Sequence, residues 1–407
     1  MMNAKTHLGI ISCGALASGV ANAEQTLSLH FMDYSEKNER VDVTDTVLGL
    51  KMDFGVDYSL DLSLGYDSVT GASPAWQIDD SSGVSNEELR LRREAVLSAQ
   101  ESTDQTLLGY SFQPDKYLIR RVPLEDTRKS VNGALTVRDE YRNEWTWGLS
   151  YSKENDYRSV GASFSYLVYL DKFKNRSMNF GVAYLDDESL VFGTAYGSRT
   201  EERLNLASVE IGFTQVVSPR MTVDAKVFAN RDNGYLSNHY LTVLRYVDVN
   251  KNDEFDADEV FLAADSRPET RNAFGTKISG SYQPLKWLTG QLSYRYYNDS
   301  WGVNSHTIDS SVSFEVADGL FINPRATWYQ QGPADFYRNP NGQQQIFAPT
   351  GYASNDVRLG DYNAQTYSLG ISYKFAANWK IDLSVHDYQQ TNQFGATWYM
   401  AGINYLF

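Results

Sequence analysis

Along most of this chain apolar side chains alternate one for one with polar ones. In the stretch Tyr58 to Asp67, the residues Tyr58, Leu60, Leu62, Leu64 and Tyr66 fall on one face and Ser59, Asp61, Ser63, Gly65 and Asp67 on the other. A period of two belongs to β-strands whose faces meet different environments. The same alternation returns in Met178 to Tyr184, Met221 to Ala229, Leu288 to Tyr296, Ile308 to Val316, Tyr367 to Phe375 and Trp379 to Val385. Beyond residue 23 no run of eighteen apolar residues occurs, so a helical membrane span is excluded.

Alternation alone does not separate a soluble sandwich from a membrane barrel. Three further features do. Aromatics bracket the apolar faces, as in Tyr58/Tyr66, Trp145/Tyr151 and Tyr367/Phe375, in the manner of interfacial girdles. Asp61, Asp224, Lys226, Lys277, Arg295, Asp309 and Asp382 sit in mid-strand on the opposite face, where a packed core rejects charge but a hydrated lumen accepts it. The chain ends in Tyr399, Ala401, Ile403, Tyr405 and Phe407 at alternate positions, which resembles the signal read by the barrel-assembly machinery. The expected fold is therefore all-β: a transmembrane up-and-down β-barrel of about 16 antiparallel strands, centred near residues 30, 50, 62, 133, 149, 164, 181, 210, 225, 278, 292, 312, 326, 370, 384 and 401. Connections after even strands are short and are expected in the periplasm. The long ones, 69–127, 187–201, 231–272 and 331–363, all follow odd strands and are expected outside the cell.

Lys5, the apolar run Leu8 to Val20 and Ala21-Asn22-Ala23 read as a cleavable export signal over 1–23, leaving 24–407 as one barrel domain. Acylation at Cys13 is the competing reading, with only a short apolar run before it. Cys13 is the one cysteine, so a mature chain has no disulfide or thiolate site. A net charge of -15 argues against nucleic acid and other polyanions as partners and sets the field of the whole chain against anionic head groups. The expected location is the outer membrane of a Gram-negative cell, with outer-membrane lipid and lipopolysaccharide as surroundings. At sixteen strands a pore for small polar solutes is permitted if the loops leave it open, and a closed scaffold if they fill it. A homo-oligomer is the usual state of porin-like barrels.

In the third long loop, Asp248 to Glu259 follows twelve-residue calcium-loop spacing. Asp248, Asn250, Asn252, Asp256 and Glu259 supply side-chain oxygens and Glu254 its carbonyl. Asp253 replaces the glycine of the sharp turn, so a solvated acidic tip is the competing reading. No other cofactor is expected. Ser85 to Gln100 reads as a helix capped by Ser85 and Glu88, either constricting the pore or lying over it. Arg128 and Arg271, each entering a downward strand, are candidates for the pore mouth or for ion pairs that close a loop. Phe336, Tyr337, Phe347 and Tyr352 either stack on a sugar or hold the last loop together, the latter being favoured. His30, His239, His306 and His386 show no metal-ligand spacing, and no nucleophile elbow occurs, so no catalysis is expected.

Four strings carry a family resemblance: Tyr66 to Pro74, Glu125 to Arg128, Tyr151 to Ser159 and Arg267 to Arg271. Together they resemble the bacterial family catalogued as domain of unknown function 3570. The resemblance implies an outer-membrane barrel and leaves its activity open. It further implies envelope redox proteins as partners, because members tend to be encoded beside flavin-transfer and thioredoxin-like genes.

Overall fold

A computed structural model describes residues 25–37, 40–78, 117–192, 199–248, 260–340 and 346–407. The export signal, the 85–100 helix and all of the 248–259 motif except Asp248 lie outside the described residues. Sixteen strands form the wall: β1 (Thr26–Glu36), β2 (Val41–Phe54), β3 (Tyr58–Ile78), β4 (Tyr117–Arg138), β5 (Glu144–Lys153), β6 (Tyr157–Tyr169), β7 (Arg176–Phe192), β8 (Arg199–Ser218), β9 (Met221–Gly234), β12 (Thr270–Leu285), β13 (Leu288–Asp299), β14 (Asn304–Ala317), β15 (Leu320–Gln331), β17 (Tyr362–Ala376), β18 (Trp379–Gln390) and β19 (Gly395–Leu406). Three short strands, β10 (Thr242–Tyr246), β11 (Val260–Ala264) and β16 (Ile346–Phe347), make a separate sheet in the third and fourth insertions.

Every wall pairing is antiparallel, and β1 pairs with β19 from Thr26↔Leu406 to Glu36↔Ala396, so the wall closes without an edge. All sixteen expected strands are present. Their lengths differ from the expectation at the loop end. Pairing between β3 and β4 runs on to Ile78↔Tyr117, and between β7 and β8 to Phe192↔Arg199, inside stretches that the alternation had marked as loop. The reason is solvent. A hairpin that leaves the membrane keeps its backbone ladder but loses the hydrocarbon on its outer face, so the apolar alternation stops while the hydrogen bonding continues.

The register aligns the apolar positions into continuous outward rows. Ile322, Ile371, Leu383, Ala401 and Phe31 are successive cross-strand neighbours on β15, β17, β18, β19 and β1. Outward residues are left bare: Leu149 is 71% exposed and Leu292 59%. An apolar belt around the whole wall is far larger than any patch a soluble monomer tolerates, and its natural solvent is hydrocarbon. At the end with short turns, aromatics follow one another: Phe375 stacks on Trp379 (6.4 Å), Trp379 meets Tyr405 tilted (4.7 Å) and Tyr405 stacks on Phe407 (5.6 Å). The terminal residue is tied to the first strand's approach through Phe407 N–H donating to the Gln25 carbonyl at 2.9 Å.

The inward face is polar along the same strands. Lys226 pairs with Glu210 at 2.9 Å, Arg325 with Asp309 at 2.7 Å and Lys380 with Asp382 at 2.9 Å. Lys226, Asp309 and Asp382 are among the mid-strand charges of the sequence; the first two are neutralised between adjacent strands of the lumen wall and Asp382 by Lys380 of its own strand. Irregular pairings at Val216/Ser218, Tyr282/Leu285, Glu315/Ala317 and Tyr373/Ala376 all lie beside the short turns, where bulges commonly bend a barrel rim. One of those turns needs positive φ and has glycine for it, Gly319 at +68°.

Candidate functional site: the capped mouth of the lumen

At the loop end the third and fourth insertions fold together over the lumen. The sheet order β11-β10-β16 joins them, with β10 and β11 antiparallel and β16 added parallel through Leu244↔Ile346 and Arg245↔Phe347. A bridge from Ser266 to Ala353 adds two backbone hydrogen bonds, 2.9 and 2.8 Å. Val243, Phe347 and Ala353 bury a small core between the insertions. Arg245, 2% exposed, donates to the carbonyls of Ala348 (2.9 Å) and Gly351 (2.7 Å).

The cap is seated on the wall by a second apolar core. Trp301, from the β13–β14 loop, is 1% exposed and packs with Leu204, Leu236, Val303, Ala334 and Leu359. Inward Leu206 and Tyr297 support it from the wall, and Phe336 meets Trp301 edge-on at 5.2 Å. Phe336, Tyr337 and Phe347 thus hold the insertions together, while the fourth aromatic, Tyr352, is 56% exposed and only flanks Phe336 at 6.3 Å. The cap also crosses the lumen. It leaves the wall between β9 and β12, yet β10 lies against β3, seven strands round the sixteen-strand wall from β12.

Two charged hubs fix this arrangement. Asp356 accepts from Arg267 (Nη2, 2.9 Å) and from Arg358 (Nε, 2.8 Å), while Arg267 Nε donates to Asp265 at 2.7 Å. Arg267 and Asp265 belong to the third insertion, Asp356 and Arg358 to the fourth. Burial alone would raise the Asp356 pKa, but the Arg358 and Arg267 guanidiniums outweigh it and hold the carboxyl well below the usual carboxylate range. Asp299 is the second hub. It accepts from Arg271 (Nε, 2.8 Å), from the Tyr297 hydroxyl (2.8 Å) and from the backbone N–H groups of Trp301 (2.9 Å) and Val303 (3.2 Å).

Of the candidate mouth residues, Arg128 and Arg271 both stand at the loop end and both are ion-paired. Arg128 meets Asp67 at 2.5 Å, and Arg271 meets Asp299 while its guanidinium lies 4.5 Å from the Trp301 ring centre. Tyr399, Ala401, Ile403 and Tyr405 take the outward positions of β19. The 248–259 motif contributes only Asp248 to the described residues, at the end of the cap sheet. Asn250, Asn252, Glu254, Asp256 and Glu259 lie outside them. Among the described residues the carboxylates close enough to share one cation are Asp126, Glu154 and Asp156, whose oxygens lie within 4.8 Å of one another. Asp126 accepts from the N–H groups of Thr127 (2.8 Å) and Asn155 (3.3 Å), and the Tyr240 hydroxyl of the cap donates to Asp156. His239 Nε2 lies 4.0 Å from Asp156; burial lowers the imidazole pKa to about 4 against the pull of that carboxylate, so it is neutral at pH 7.

Sequence reasoning missed Asp299, Trp301, Asp356 and Arg358. Asp299-Ser300-Trp301-Gly302 does carry a local signal, an acidic turn former three residues before a glycine that adopts φ +86°. Asp356 has a local role, accepting from the Arg358 N–H at the start of the turn 357–359, but its link to Arg267, 89 positions away, leaves no local sign.

A closed sixteen-stranded antiparallel wall with a bare apolar belt, a charged interior and loops gathered at one end defines an outer-membrane type of β-barrel. The chain belongs to the family described as "Protein of unknown function (DUF3570)", whose model matches residues 11–405. Among solved structures, CdiB from Acinetobacter baumannii is similar at TM-score 0.50 and 8% identity, covering 94% of this chain and 60% of that one. This chain therefore spans less than two thirds of CdiB. A loop L8 deletion mutant of OmpT, an outer membrane protein of Vibrio cholerae, is similar at TM-score 0.44 and 9% identity over 95% of this chain and 100% of that one. The ferric enterobactin receptor PfeA of Pseudomonas aeruginosa aligns at TM-score 0.40 and 10% identity, covering 91% and 54%. No curated protein matches the sequence.

Proposed function

We propose that this chain resides in the outer membrane as a barrel closed on its outer side. In this reading it is a scaffold presenting a folded cap at the cell surface, and not a standing pore for small polar solutes. One observation carries the reading: the third and fourth insertions share a sheet and a buried ion cluster, sit on the Trp301 core inside the wall, and reach from β12 to β3 across the mouth. The location is supported by the belt of bare Leu, Ile, Val and aromatic side chains. The turn end faces the periplasm because barrels keep their short turns there and their long loops outside. Catalysis is no part of this reading.

Planar-bilayer recording on the full chain tests it. The expected trace has no steady open state in the wild type. Deleting residues 332–361 is expected to produce conductance steps, provided the deleted protein still shows the heat-dependent shift in gel migration of a folded barrel. Steady wild-type conductance would sink the closed reading and restore the pore. The family resemblance adds envelope redox proteins as the partner class, and calcium is proposed at 248–259. Calorimetry with millimolar calcium is expected to give heat that the Glu259→Gln variant loses; absence of heat in the wild type removes calcium from the account.

A further inference from the structure

At the loop end of each strand the outward face changes from apolar to polar. With that end outside, the change marks the headgroup level of the outer leaflet. The first strongly polar outward residue is neutral or acidic on many strands: Asp33 on β1, Asn272 on β12, Gln330 on β15, Asp387 on β18. It is a single cation on β9, Arg231, and a cation on three consecutive strands, namely Lys129 on β4, Lys153 on β5 and Arg158 on β6. The register sets Lys129 opposite Lys153 and Lys153 opposite Arg158. The row continues with Glu188 on β7 and Arg203 on β8, and Glu188 bridges Arg158 (2.6 Å) and Arg203 (3.2 Å).

The row holds four cations against one carboxylate, on a chain whose net charge is -15. Asp186 and Glu201 border its β7–β8 end and Glu125 stands two outward positions beyond Lys129, so the excess is concentrated on β4 to β6. Among the described residues no acidic side chain comes within 4.0 Å of Lys129 or Lys153. Like charges placed directly opposite destabilise a ladder, so an anion bound along the row relieves that repulsion. One outward position nearer the turn end, Val131, Tyr151 and Val160 are 44%, 41% and 47% exposed. An anion held by the row therefore has an apolar wall beneath it, which fits an amphiphile with phosphate above and acyl chains below. From Lys129 to Arg203 there are four strand steps, about 19 Å. That is long for one phosphate and suits a molecule carrying two.

We propose that Lys129, Lys153 and Arg158, extended by Arg203, bind the phosphates of a doubly phosphorylated, multiply acylated glycolipid of the outer leaflet, the lipid A portion of lipopolysaccharide. The proposal rests on the loop end being outside. Native mass spectrometry of the full chain in detergent is the test, with lipid A, dephosphorylated lipid A, phosphatidylglycerol and inorganic phosphate as probes. Lipid A is expected to remain bound, and the triple variant Lys129→Gln, Lys153→Gln, Arg158→Gln to weaken it about tenfold. Lys172→Gln, at the turn end, is expected to leave binding unchanged, and all variants to keep the gel shift of a folded barrel. Equal binding by the triple variant, or retention of dephosphorylated lipid A, would overturn the site. Equal binding of phosphatidylglycerol or of phosphate alone would overturn the glycolipid assignment. Orientation is read separately, by labelling Asn155→Cys in intact cells with a membrane-impermeant maleimide; failure to label refutes the orientation and the proposal with it.

Discussion

Asp356→Ala is expected to release the cap. The substitution leaves Arg267, with a side chain 2% exposed, facing only Asp265, and leaves Arg358 without its carboxylate. Removing one partner of a buried ion pair costs about 3–5 kcal/mol, and the loss falls on contacts that join two insertions, not on the barrel ladder. Limited proteolysis should therefore cleave within 332–361 in the variant under conditions that leave the wild type whole, while the barrel core survives in both. Acid acts on the same carboxyl. Its pKa is depressed in the folded protein, so its contribution is fully present above the ordinary carboxylate pKa of about 4 and disappears as pH falls through the lowered value. Protection of the wild-type cap should stay level from pH 7 to about pH 4 and decline only below that. Equal protection of variant and wild type at pH 7 would show that the shared sheet alone holds the cap.

Leu383→Arg is expected to cost about 2–4 kcal/mol, measured by urea unfolding in lipid vesicles, because it places a guanidinium near the middle of the hydrocarbon band. Leu383 lies between Ile371 and Ala401 on the outward face and is 46% exposed. Ser311→Glu, on an inward position of β14, should cost under about 1 kcal/mol, since the new carboxylate enters a polar face directly opposite Arg325. The contrast between the pair is the informative quantity. Similar costs at the two sites would mean that the two faces of the wall do not meet different solvents.

The wall was legible in the sequence because its cause is local: a strand between hydrocarbon and water must alternate, as Tyr58 to Asp67 does. Where the cause is not local, reading stopped. β3 and β4 continue beyond Val69 and Thr127 as a backbone ladder past the hydrocarbon band, where nothing requires the alternation to persist. β10 and β16 pair across about a hundred residues, and the five residues Thr242 to Tyr246 carry no sign of their partner. Arg271 was visible as a candidate because it repeats the Thr-Arg ending of Arg128. Its acceptor Asp299 was not, because a single aspartate in a short loop looks like any other solvated turn until Trp301 is seen folding back over it.

The salt link from Arg267 to Asp356 also sets an order on assembly. Its two halves enter from hairpins separated by β12, β13, β14 and β15, so neither insertion has its counterpart until those four strands have taken their places. Completion of the lid is then among the last events of biogenesis, and a conformation-specific antibody spanning both insertions would report on finished molecules and ignore those still being inserted.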